Sequence, residues 1–299
     1  MAEGGAAPPA ESMRGARGGV SAVVTIVVAV VTFLGGLGVG AFVLAPQPAA
    51  AAPPCATPGA AGVNETTLLL GTNTPFPPFE SRTATGGLQG FDIDLIQEMV
   101  RRANYACEWV DFRDFTALLA AVSAGGVNIA VGAITMNGET GANRNMTLDF
   151  TNPYFEADQG ILKKTSDARN FCAATDCTAA ELDQTSYRVG VQQITTSEFY
   201  IDDNLPNVTK VALPSVSDVL LALDAGNVDF VVIDKPAADG IAAANPSRYT
   251  VEGTIQTDEL YGFAVADGDP LGLISKLNLA LAGIRSDGTY DRFIDQWFG

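Results

Sequence analysis

Few side chains in this 299-residue chain could do covalent chemistry. There is no histidine, so imidazole-activated nucleophiles and histidine-held metals are excluded. Of the four cysteines, Cys172 and Cys177 lie close enough to close a small loop by a disulfide in an oxidising compartment. Cys55 and Cys107 have no other partners than each other, and a cysteine in a tether matches one in a buried strand poorly. That pair is a weak candidate beside Cys172 and Cys177, and the sequence leaves its redox state open. Carboxyls such as Glu80, Asp111 and Asp234 could move a proton if a cleft brought them to a substrate. No nucleotide-binding motif is present, and the sequence calls for no cofactor and no metal.

The elements that would position such groups alternate short apolar runs with helical periodicity from Thr66 onward, the pattern of βαβ units and a largely parallel sheet. A first set reads as strand Leu68 to Thr72, helix Phe91 to Asn104, strand Cys107 to Val110, a helix capped by Asp114 and stopped at Gly125-Gly126, and strand Val127 to Ile134. A second reads as strand Arg188 to Val191, helix Thr196 to Asn204, strand Thr209 to Leu213, helix Ser215 to Ala225 and strand Val228 to Ile233. A tail follows as strand Tyr261 to Val265, helix Leu271 to Arg285 and helix Tyr290 to Trp297. Two similar α/β halves with a cleft between them predict a clamp, since ligands sit beyond the carboxyl ends of strands in open α/β sheets.

The N-terminus sets the compartment. Residues 20–45 carry no charge, and as a helix they would span about 39 Å against a hydrocarbon layer of roughly 30 Å. Arg14 and Arg17 precede them, which places residues 1–19 in the cytoplasm and everything after Ala45 outside. An uncleaved anchor is preferred to a cleaved signal, whose apolar core spans only about 7 to 15 residues; cleavage would leave the body periplasmic or secreted. Residues 46–63 are rich in Ala, Pro and Gly and form a tether. The net charge of −17 falls on the part beyond the tether and repels nucleic acid.

Four segments carry a family resemblance: Gly71-Thr72-Asn73-Thr74-Pro75-Phe76-Pro77-Pro78-Phe79-Glu80, Gly90-Phe91-Asp92-Ile93-Asp94-Leu95, Asp149-Phe150-Thr151-Asn152-Pro153-Tyr154-Phe155, and Asp287-Gly288-Thr289-Tyr290 leading to Trp297-Phe298-Gly299. In this order and spacing they resemble the polar amino-acid family of ABC-transporter substrate-binding proteins, the type II periplasmic binding proteins of family 3, over residues 66 to 299. The resemblance implies two α/β lobes joined by two crossing strands, lobe 1 being 64–157 plus 258–299 and lobe 2 being 158–257. The crossings would fall near Glu156 to Gln159 and Gln256 to Leu260.

It also implies a site for an amino acid. Burying a ligand's carboxylate and ammonium is costly unless each meets an opposite charge. By the resemblance Arg144 forks onto the carboxylate and Asp234 accepts from the ammonium. Thr135 and Thr196 supply neutral hydrogen bonds, and Phe76 and Phe115 pack on the ligand side chain. Asn73 stands where binders of cationic amino acids often carry aspartate, which favours a neutral polar ligand unless Asp92, Asp111, Glu139 or Asp158 supplies the charge. The sequence departs from the family in a longer loop at Met136 to Asn143, in Ile194 where glycine is usual, and in Val100 where a partner for Cys107 sometimes stands.

The function implied is capture of a small polar ligand, an amino acid, by a monomer that delivers it to an ABC permease and ATPase on separate chains. An enzyme on the same fold, resembling cyclohexadienyl or arogenate dehydratases, and a ligand-sensing receptor subunit are the alternatives.

Overall fold

The computed structural model describes Cys55 and residues 66–299; the expected anchor at 20–45 and the rest of the tether lie outside them. No helix among the described residues is long and apolar enough to cross a membrane. Along the chain run β1 (Thr67–Thr72), the short hairpin β2 (Ser81–Arg82) and β3 (Leu88–Gln89), α1 (Phe91–Arg102), β4 (Ala106–Asp111), α2 (Phe115–Ser123), β5 (Ile129–Ala130), α3 (Gly138–Arg144) and β6 (Leu148–Phe150). Then come β7 (Phe155–Lys164), α4 (Ala179–Leu182), β8 (Arg188–Gln192), α5 (Thr196–Asn204), β9 (Thr209–Leu213), α6 (Val216–Asp224), β10 (Phe230–Asp234), α7 (Lys235–Ala244), β11 (Tyr249–Tyr261), β12 (Ala264–Ala266), α8 (Leu273–Ser286) and α9 (Thr289–Phe298).

Two five-stranded sheets result, ordered β4-β1-β5-β12-β6 and β11-β7-β10-β8-β9, and each anchors one lobe. Within each, the strands that follow the βαβ pattern are parallel, β1 with β4 and β5, and β8 with β9 and β10. The period-2 alternation of a strand sends successive side chains to opposite faces, and both faces are covered. Leu68 and Leu70 of β1 meet α1, α8 and α9 through Leu95, Met99, Leu277 and Phe293, while α2 lays Leu118 and Val122 on the other face. In the second sheet Phe230 and Val232 face Ile201 of α5, and Val231 and Ile233 face Val219 of α6 and Ile241 of α7.

The chain passes between the sheets twice. β6 lies in the first sheet and β7 in the second; β11 lies in the second and β12 in the first. β7 and β11 pair antiparallel along their length, with the register breaking between Ile255 and Glu259. Asp158 Oδ1 accepts from the amides of Thr257 (2.7 Å) and Asp258 (3.0 Å) at this break, so its carboxylate holds the irregular backbone.

Several local expectations are corrected. The strand expected over Val127 to Ile134 is ladder-paired only at Ile129–Ala130, because Ala133 takes a left-handed backbone (φ 49°) and the chain turns out of the sheet. The loop expected at Met136 to Asn143 is largely helix α3, entered through Gly138 at φ 65°. Lys163 is buried against Glu252 at 3.2 Å. Cys172 and Cys177 are joined by a disulfide, and so are Cys55 and Cys107, with Cα atoms 5.1 Å apart. The second bridge, which the tether composition argued against, pins Cys55 to the edge strand β4 beside Tyr105 and Trp109 in the lobe 1 core.

Closing a loop of this separation, 52 residues, restricts the unfolded chain. Replacing both residues (Cys55→Ser with Cys107→Ser) is expected to lower the unfolding free energy by about 2–4 kcal/mol. A denaturant titration checks this; an unchanged midpoint would show that the bridge does not stabilise the fold.

Candidate functional site

A cavity between the lobes lies at the carboxyl ends of β1, β5, β8 and β10, where parallel sheets leave strand ends free for ligands. Asn73, Phe76, Phe115, Thr135, Arg144, Thr196 and Asp234 all line it. They arrive from six separate segments. Asn73 follows the last residue of β1, and its side chain donates to the Phe112 carbonyl at 2.8 Å. Phe115 opens α2, whose cap is Asp114 accepting from the Ala117 amide at 2.7 Å.

Arg144 is the last residue of α3, and its buried guanidinium donates to the Thr135 carbonyl at 2.8 Å and to the Ile194 carbonyl at 3.3 Å. Its Cζ also sits 5.5 Å from the centre of the Phe115 ring. Burial lowers its pKa to about 10, while Glu259 and Asp234 act in the other direction, so it is charged at neutral pH. The helical turn of α3 takes up the longer connection and returns the arginine to Thr135.

Asp234 ends β10 at the start of α7 but makes no side-chain cap bond to that helix. Its carboxylate instead accepts from the Tyr261 hydroxyl and, at 2.6 Å, from Gln159 Nε2. The same Gln159 nitrogen lies 2.7 Å from Glu259 Oε1, and Gln159 Oε1 accepts from the Ser197 hydroxyl at 2.6 Å. Glu259 Oε2 in turn accepts from Thr135 Oγ1 at 2.5 Å. Asp234 and Glu259 thus share one amide, and burial followed by Glu259 raises the Asp234 pKa. Thr196 begins α5 behind the Thr195 cap, and its hydroxyl lies 3.2 Å from Gln159 Nε2.

Sequence reasoning missed Gln159 and Glu259 altogether, since both sit on the crossing strands and carry no motif. It also missed Gln192, which lines the cavity and donates to Asn73 Oδ1 at 3.0 Å, joining the two lobes. Glu80, considered only as a catalytic acid, lines the same cavity and is 2% exposed. The acids expected to replace a charge at Asn73 are not among the lining residues. Asp111 is bound to Arg82 and to Thr74, Asp158 holds the crossing strands, and Asp92 accepts from the Ala133 amide (2.8 Å) and the Tyr154 hydroxyl (2.5 Å). Ile194, standing where glycine was usual, adopts the left-handed backbone that glycine suits, at φ 61°.

Two lobes, paired crossing strands and a cavity walled by both define a solute-binding clamp. The chain belongs to the bacterial extracellular solute-binding proteins, family 3, whose pattern it matches over residues 68–299. It is 27% identical over 234 residues to the ABC transporter arginine-binding protein 1 of Escherichia coli K12, covering 77% of this chain and 90% of that protein. Among solved structures it resembles an ancestral arginine-binding protein, bound to arginine (32% identity) or to glutamine (31%). Both superpose with a TM-score of 0.69 and cover 78% of this chain and 98% of the other.

Two outcomes follow from the geometry. A β-branched residue in the left-handed region costs of the order of 1–2 kcal/mol, and Ile194 is 40% exposed, so little burial is lost on truncation. Ile194→Gly is therefore expected to raise the unfolding midpoint by a few degrees; a lower midpoint would refute the strain. Burial, the dominant cause in each case, raises the pKa of Asp92 to about 7 and raises those of Glu80 and Asp234. The folded chain then binds protons that the unfolded chain releases above about pH 4, so stability falls as pH rises from about 4 towards 7. Thermal unfolding of the ligand-free protein is expected to show a higher midpoint at pH 5 than at pH 8, and the reverse order would contradict this assignment.

Proposed function

We propose that the protein is an extracytoplasmic amino-acid receptor that delivers its ligand to an ABC importer whose permease and ATPase are separate chains. The observation that carries this reading is the convergence of a buried guanidinium, Arg144, and a buried carboxylate, Asp234, on one cavity that both lobes enclose. The ligand carboxylate takes up Arg144, whose two carbonyl contacts leave other N–H groups to fork onto it. The ligand ammonium takes up Asp234, and Thr135 and Thr196 complete the polar shell. Phe76 and Phe115 hold the side chain.

Lobe 1, residues 64–157 and 258–299, and lobe 2, residues 158–257, close about the crossing strands and exclude water from these contacts. The names of the relatives support an amino acid as ligand. The uncharged run at 20–45, preceded by Arg14 and Arg17, supports an anchor that keeps this monomeric receptor at the outer membrane face.

Calorimetric titration of the full-length protein in nanodiscs with the twenty amino acids tests the reading. One or a few should bind with a single site and no turnover. Arg144→Ala and Asp234→Asn should each weaken that binding about 100-fold, since a charge-assisted bond contributes roughly 1.5–3 kcal/mol and its loss strands a buried partner. Circular dichroism should show both variants folded. Silence with all amino acids, or consumption of prephenate, would transfer the cleft to the enzyme reading, and undiminished binding by Arg144→Ala would remove the carboxylate clamp.

A further inference from the structure

Helix α7 carries a glycine that its own geometry does not ask for. Gly240 lies inside α7 with an ordinary helical backbone, in a stretch otherwise rich in alanine, from Ala237 and Ala238 to Ala242, Ala243 and Ala244. Alanine is the better helix former at such a position. What stands against it comes from the other lobe. A Cβ on Gly240 would lie 2.9 Å from the Pro77 carbonyl oxygen, 3.1 Å from the carbonyl carbon and 3.0 Å from Pro78 Cδ, whereas carbon atoms pack best at about 3.5–4.0 Å.

Both sides of this contact are held. The Phe76 amide donates to the Glu80 carbonyl at 2.7 Å and the Glu80 amide donates to the Phe76 carbonyl at 3.0 Å, which closes the turn that contains Pro77. The start of α1 ties the same turn down, since the Phe91 amide donates to the Pro78 carbonyl at 2.9 Å and the Asp92 amide to the Phe79 carbonyl at 3.0 Å. On the other side α7 is pressed against β7, where a Cβ on Gly160 would come within 3.0 Å of Lys235 Cα. A methyl added at position 240 is therefore relieved by moving one lobe against the other. The contact stands beside the crossing strands: Phe76 lines the ligand cavity, while Pro78 and Gly240 line a second cavity with Phe155 and Asp158 of β7. The polar contacts between the lobes, Gln192 to Asn73 at 3.0 Å and Arg144 to the Ile194 carbonyl at 3.3 Å, form only while the lobes are this close.

We propose that Gly240 is a positioning residue for ligand binding: lacking a side chain, it lets α7 seat on the Pro77 carbonyl, and this seat sets the angle at which the two lobes close. The proposal rests on the receptor reading above and adds to it a residue outside the ligand cavity. Gly240 is not among the residues that line that cavity, so a substitution there leaves every ligand contact chemically intact and acts through their spacing alone.

Calorimetric titration of full-length wild type, Gly240→Ala and Gly240→Leu with the twenty L-amino acids tests this. Overpacking against a held backbone should weaken the wild-type ligand about tenfold in Gly240→Ala and at least about 100-fold in Gly240→Leu. The thermal midpoint of ligand-free Gly240→Ala should equal or exceed that of wild type, because the helix gains propensity where the lobes are free to part. All four cysteines are in disulfides, so spin labels can be placed at Met146→Cys on one lobe and Leu221→Cys on the other, both exposed positions. Pulsed electron paramagnetic resonance at saturating ligand should give one distance in wild type and a longer one in each Gly240 variant. Unchanged affinity, an unchanged label distance, or a fall in affinity matched by a fall in the ligand-free midpoint would each overturn the role of Gly240 while leaving the receptor standing. If none of the twenty amino acids binds the wild type, the receptor reading fails and this proposal with it.

Discussion

An ionised carboxylate cannot be buried cheaply, and two near each other cost more than twice one. Asp234 and Glu259 are both buried at the junction of the lobes, and the amide nitrogen of Gln159 reaches both. This shared amide fixes much else. It requires Gln159 on β7 and Glu259 on β11 to come within reach of one another, which the antiparallel pairing provides by setting Gln159 opposite Ile255 and Glu259 opposite Ala157. It requires Ser197 at the start of α5 to hold the other end of the amide, and it ties Thr135 of the first lobe to Glu259. The polar ligand groups are thus placed by the strands that connect the lobes as well as by the lobes themselves.

The consequence is a coupling between charge and shape. A cation at Asp234 relieves the repulsion that Gln159, Tyr261 and Thr135 moderate through their hydrogen bonds, and it does so close to the point where β7 and β11 lose register. Arg144 and Asn73 reach from the first lobe to Ile194 and Gln192 of the second, so the cleft closes on polar contacts that ligand groups can strengthen or displace. Apolar side chains of α6 and β10, among them Val216, Val219 and Val232, form the opposite wall and keep the dielectric low.

Regular elements were legible wherever local patterning decided them. Helix α5 and strand β9 coincide with the segments read from apolar spacing and caps. Elements whose existence depends on distant partners were not: β7 and β11 are long because they pair with each other across the lobes, and nothing local marks them. Helix α3 was hidden by its glycines, Gly138 and Gly141, which intrinsic propensity disfavours. The convergence of Arg144 and Asp234 could be expected only through family resemblance, since an arginine in a Gly-Asn stretch carries no signal of its own. Glu80 was visible in its motif, but its orientation into the cleft depends on a turn that the sequence does not specify.

The bond between Cys55 and Cys107 changes how the folded body is attached to whatever precedes it. Tension arriving along the chain at Cys55 passes through sulfur to β4, at the sheet edge, and bypasses β1, which lies between β4 and β5. A protease that cut anywhere from residue 56 to residue 65 would leave the two pieces covalently joined. Release of the body by such a cut then takes two events, hydrolysis and reduction, and an oxidising exterior supplies only the first.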